Sequence, residues 1–141
     1  MYCSYKVGLG NGYQYIQESI YDAHIKKNGN IVVNHTIVSL DVVADFIVGL
    51  RKPAKYLECE NGTALIIRVS NTKAYFILNM ESGEVQHYST QESFSNQLKS
   101  LGLAEKVELN YSSFERKWSF GDNMDLSTCK SLEKAMGAAV E

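Results

Sequence analysis

Proline is nearly missing from this chain: Pro53 stands alone in 141 residues. No Gly/Ser-rich or low-complexity tract replaces it, so nothing marks a linker, and a single domain over residues 1–141 is expected. Cysteine is scarce too. Cys3, Cys59 and Cys129 are odd in number and widely spaced, which points to neither a disulfide framework nor a CxxC metal site. Cys59 and Cys129 read as small core residues. An excess of one charge is also lacking. A net charge of -2 provides no broad attraction to nucleic acid or to an anionic membrane. No apolar run approaches the roughly 20 residues that a membrane span needs. The start, Met1 to Gly8, has neither the basic residues nor the apolar stretch of a signal peptide. A cytoplasmic protein is the expectation, since reducing conditions suit unpaired thiols.

Motifs with their own chemistry are missing as well. His24, His35 and His87 have no second His or Cys at metal-ligand spacing. Gly8-Leu9-Gly10-Asn11-Gly12 has neither the lysine of a phosphate loop nor the register of a dinucleotide fingerprint, and reads as a turn. No cofactor and no metal are expected. The nearest sequence-local catalytic group is His87 with Tyr88 and Glu84, which keeps a small nuclease or transferase as the enzyme alternative.

What is present is a run of strands. Residues 55–60, 63–69, 73–80 and 84–88 are rich in β-branched and aromatic residues. Asn61-Gly62, residues 70–72 and residues 81–83 separate them, and Asn-Gly suits a primed hairpin turn. A four-strand antiparallel meander over 55–88 follows. Residues 2–9 and 31–38 read as further strands, as does the alternating stretch from Lys106 to Phe120. Tyr13 to Lys27 fits a helix through Ile16, Ile20 and Ala23. It fits a strand almost as well, with a hairpin turn at Asn28-Gly29-Asn30, and helix is the reading taken.

Ser39 caps a predicted helix that buries Leu40, Val43, Ala44, Ile47 and Leu50 and stops before Pro53. Thr90 caps another, with Phe94, Leu98 and Leu101 inward and Gly102 at its end. A closing helix starts at Asp125 or Ser127 and carries Cys129, Leu132, Met136 and Ala139. The expected class is therefore α+β: a mainly antiparallel sheet covered on one face by three or four helices.

Two residue types point to binding. Glu58 and Glu60 share a strand face, Glu81 and Glu84 flank a turn, and Asp122 and Asp125 follow Trp118. Exposed carboxylates of this kind steer a basic partner. Tyrosine is enriched, five of the nine falling in the first 21 residues, and Tyr offers large amphipathic contact area at low entropic cost. In size, acidity and lack of enzyme motifs, the chain resembles the immunity proteins that bacteria pair with toxic nucleases, those of contact-dependent inhibition and colicin systems. That resemblance implies a non-catalytic antitoxin whose partner is a basic toxin domain, its nucleic-acid cleft occluded by acids standing in for phosphates. Glu58, Glu60, Glu81, Glu84, Asp122 and Asp125 would supply the charge, with Tyr56, Tyr88 and Trp118 as apolar anchors. A homo-oligomer pairing through the strand from Lys106 to Phe120 is a third expectation.

Overall fold

The computed structural model describes residues 5–19, 22–59, 65–70, 72–109 and 129–131. Eleven strands and one helix are found among them. Strands β1 (Tyr5–Gly10), β2 (Tyr13–Ser19), β3 (Asp22–Lys27) and β4 (Asn30–Val33) form one sheet in chain order. A second sheet contains β5 (Ile37–Val43), β6 (Phe46–Arg51), β9 (Ala74–Asn79) and β10 (Val85–Tyr88), in the order β10-β9-β6-β5. A third joins β7 (Ala54–Cys59), β8 (Leu65–Val69) and β11 (Cys129–Ser131), in the order β11-β7-β8. Every pairing is antiparallel. The helix, α1, runs from Gln91 to Ser100.

The α+β expectation is thus overturned. Among the described residues one helix, not three or four, accompanies a mainly β protein. Two predicted helices are hairpins. Tyr13 to Lys27 is β2 turning into β3, and the turn at Asn28 (φ 53°) and Gly29 (φ 80°) joins β3 to β4. Paired positive φ values are what the primed hairpin turn requires. The segment from Ser39 to Leu50 is β5 and β6, reversing at Ala44 with φ 52°. Its all-round apolar character comes from β6 being covered on both faces. A doubly buried strand shows no period, so its apolar positions mimic a broad helical stripe.

The meander is corrected as well. Strands β7 and β8 pair with each other, and β9 and β10 pair with each other, but β9 lies against β6 and not β8. Ser70 ties the exit of β8 back to Pro53, its N–H donating to the Pro53 carbonyl at 2.7 Å. The Asn61-Gly62 turn lies outside the described residues. So does the part of the predicted Lys106–Phe120 strand beyond Leu109, while residues 106–109 form no strand. Of the predicted closing helix only residues 129–131 are described, and they are strand β11.

Packing follows from the alternation of the second sheet. Ile47, Phe76 and Leu78 point to the first sheet, where Tyr13, Ala23, Ile25 and Val33 meet them. Val48, Leu50, Tyr75 and Ile77 point the other way, toward Phe94 and Leu98 of α1 and Leu103 beyond it. Three layers result: sheet, sheet, then helix. The helix begins as the sequence predicts, with Thr90 Oγ1 accepting from the Ser93 N–H at 3.1 Å. It ends in a Schellman motif, where Leu103 N–H donates to Leu98 O (2.8 Å) and Gly102 N–H to Lys99 O (3.1 Å). Leu101, expected inside, is 37% exposed because Leu103 takes the inward position.

No helix among the described residues is long and apolar enough to cross a membrane.

Candidate functional site

The turn joining β9 to β10 is built by a side chain. Asn79 Oδ1 accepts from the N–H groups of Glu81 (2.9 Å) and Ser82 (3.2 Å). Gly83, at φ 81°, closes the reversal. Because Phe46 is registered against Asn79, the β5–β6 turn sits beside this one. Asp45, Glu81 and Glu84 are all exposed at that end of the second sheet. Beyond the turn, Glu84, just before β10, bonds in a row with Gln86 and Tyr88 on one face of that strand. Gln86 Nε2 donates to Glu84 Oε1 at 3.0 Å, and the Tyr88 hydroxyl donates to Gln86 Oε1 at 2.6 Å. Burial first, and the Glu84 charge second, raises the Tyr88 phenol above its ordinary pKa.

A groove of about 150 Å³ runs between this row and α1. Phe46, Ile77 and Leu101 give it an apolar floor, while Asn79, Ser82, Glu84, Gln86 and Gln97 give it polar walls. One carboxylate with several amide and hydroxyl groups suits a cationic side chain with an apolar stem, such as lysine or arginine. His87 faces the opposite side of β10 from Glu84 and Tyr88, since successive strand residues alternate. The group of His87, Tyr88 and Glu84 is therefore not assembled on one face.

The other sequence-predicted positions divide. Tyr56 and Glu58 lie on β7 in the third sheet, where Glu58 is registered against Lys130 and Tyr56 against Ile67. They do not join Glu81 and Glu84, which lie in the β9–β10 connection of the second sheet. Tyr88 packs its ring against Phe94, with centroids 6.2 Å apart. Glu60, Trp118, Asp122 and Asp125 lie outside the described residues.

Sequence reading missed a buried polar cluster where the chain crosses from the first sheet to the second. Asp22, His24, Asn34, His35, Thr36, Arg51 and Lys52 are all buried there. His24 Nδ1 and Asp22 Oδ1 are hydrogen-bonded at 2.8 Å, and His35 Nδ1 lies 3.8 Å from the same oxygen. Arg51 donates from Nε to Asn34 O and from a terminal nitrogen to His35 O, both at 3.0 Å. Thr36 and Lys52 exchange two backbone bonds at 3.0 Å, and Thr36 Oγ1 accepts from the Ala23 N–H at 3.2 Å. The His35–Thr36 peptide is cis. Burial is the main reason that His35 titrates below its usual range. Asp22 opposes the shift, and His24 and Arg51 reinforce it.

An imidazole oriented by a carboxylate is the arrangement of a general base. Here His24 is only 3% exposed, its Nε2 has no hydrogen-bond partner among the described residues, and the cluster lines neither the groove beside β10 nor a second groove, lined by Val7, Tyr15, Ile37 and Leu40 between β1, β2 and β5. Its evident work is to tie β3, the 34–36 crossover and the end of β6 together. No group of three or more His, Cys, Asp or Glu among the described residues is placed to hold a metal ion. The one available signal is Asp22-Ala23-His24, two polar residues on one strand face, which a helical reading of the segment hides.

Fold and site together define a layered antiparallel β protein with a mainly polar groove, carrying the Glu84 carboxylate, along one edge strand. The chain belongs to a family described as a protein of unknown function (DUF3997), whose model matches residues 10–115. No curated protein and no solved structure matches it.

Proposed function

We propose that this chain is a non-catalytic binding protein that recognises a basic protein surface through the groove beside β10. The observation that supports this most directly is the exposure of Asp45, Glu81 and Glu84 at one end of the second sheet, where Glu84 lines a groove with an apolar floor. Exposed carboxylates accelerate encounter with a cationic partner, and an adjoining apolar floor holds what they attract. The specific form of the reading is a cytoplasmic antitoxin whose partner is a nuclease toxin. On that view Glu81 and Glu84 replace nucleic-acid phosphates in the toxin's basic cleft, and Tyr88 backs the contact from behind.

The test is co-expression with a small basic nuclease encoded next to this gene. Survival with the wild-type chain, and loss of survival with Glu81→Lys/Glu84→Lys, is the expected result. Purified complexes should weaken as salt rises, because the steering is screened within about 10 Å at 0.1 M. Equal protection by the charge-reversed chain would reject the groove as the contact.

A further inference from the structure

Cys59 and Cys129 are far apart in sequence, yet they stand directly opposite each other. Strands β7 and β11 are antiparallel neighbours, and their register pairs Cys129 with Cys59, Lys130 with Glu58 and Ser131 with Leu57. Directly opposed residues on antiparallel strands have Cα atoms roughly 4.5 to 5.5 Å apart and lie on the same face of the sheet. A disulfide needs a Cα separation of about 4.4 to 6.8 Å. The backbone therefore holds this pair at bridging distance without rearrangement. Cys3 is the remaining cysteine of the sequence.

We propose that Cys59 and Cys129 form a reversible cross-strand disulfide, a redox site that fastens β11 to β7. The oxidant is a low-molecular-weight disulfide. One cysteine thiolate attacks a sulfur of the oxidant, forming a mixed disulfide and releasing one thiol. The second cysteine thiolate then attacks the protein-bound sulfur, forming the intramolecular bond and releasing a second thiol. Two protein thiols are oxidised, one external disulfide is reduced to two thiols, and the two cysteine protons end on those thiols. Among the described residues β11 is hydrogen-bonded in the third sheet to β7 alone. Oxidation closes residues 60–128 into a covalent loop and restricts the unfolded chain. Reduction leaves a three-residue edge strand paired with β7 through the backbone ladder.

The experiment uses the full chain carrying Cys3→Ser, fully reduced and then equilibrated with oxidised glutathione. Alkylation and mass spectrometry of the digest follow. The expected result is a monomer that has lost both alkylatable thiols and yields a Cys59–Cys129 linked peptide. Adding Cys59→Ser or Cys129→Ser should leave the other cysteine carrying one glutathione. The midpoint of thermal unfolding should rise on oxidation of the Cys3→Ser chain. Two separately glutathionylated or alkylatable cysteines in that chain would overturn the proposal, as would disulfides formed only between chains. A midpoint lowered by oxidation would also overturn it, since a bridge that fits the register does not strain the fold.

Discussion

Phe76 fills the space above Gly49 across the β6–β9 pair. A Cβ added to Gly49 would lie 2.6 Å from Phe76 Cζ and 2.6 Å from the backbone oxygen of Ser39 on β5. The ring could shift, but the backbone oxygen is fixed by the β5–β6 ladder. Gly49→Ala is therefore expected to destabilise by about 3 kcal/mol, the upper part of the range for overpacked cores. Urea unfolding measures it. A loss below about 0.5 kcal/mol would mean that β5 and β6 are not packed as described.

Phe94 is fully buried and stacks on Tyr75 with ring centroids 5.0 Å apart. It is the principal anchor of α1 on the second sheet. Phe94→Ala should cost roughly 3 to 5 kcal/mol, and far-ultraviolet circular dichroism should show loss of helical signal before the β signal melts.

Thr90 caps that helix from an exposed position. Thr90→Ala removes the acceptor for the Ser93 N–H, and about 1 kcal/mol of stability should go with it. Thr90→Ser, which keeps the oxygen, should restore most of the loss in the same thermal melt.

Arg51 is 1% exposed and its guanidinium serves two carbonyls of the 34–36 crossover. Truncation to Met leaves Asn34 O and His35 O without those donors in a buried place, at a cost on the order of 3 kcal/mol. Arg51→Lys should not recover it, because an ammonium lacks the planar fork that reaches both acceptors. Comparison of denaturant midpoints for the two variants tests this, and equal stability of wild type and Arg51→Lys would refute it.

His35 should make the fold sensitive to acid. Its native pKa lies below the ordinary 6.5, so the unfolded chain binds the proton more readily. Stability is then lost as pH falls below about 6.5, by at most about 1.4 kcal/mol per unit for this group, and the loss levels off below the native pKa. Chemical denaturation at pH 7.5 and pH 5.5 should show the decline in the wild type and a smaller one in His35→Gln. An identical decline in both would assign the pH dependence elsewhere.

Much of the local structure was legible in the sequence because it depends on neighbours in the chain. Gly10-Asn11-Gly12 turns with positive φ at all three residues, and Thr90 and Gly102 bound a helix by satisfying terminal backbone groups. The exposed pair Glu81 and Glu84 flanks a turn that glycine makes possible. These features follow from side-chain type and spacing, and no distant residue is needed to decide them.

Tertiary structure decided the rest. Ser39 to Leu50 carries apolar residues on every side, and only the position of β6 between the first sheet and α1 makes the segment a hairpin with one doubly covered strand and not a helix. Asp22, His24, His35 and Arg51 belong to three separate segments, and they meet because the crossover at residues 34–36 runs between the ends of β3 and β6. Cys59 and Cys129, far apart in sequence, are brought opposite by the pairing of β11 with β7. Turns and caps are written in short stretches of chain, whereas which strand lies beside which is settled by burial of whole faces, a property no local stretch possesses.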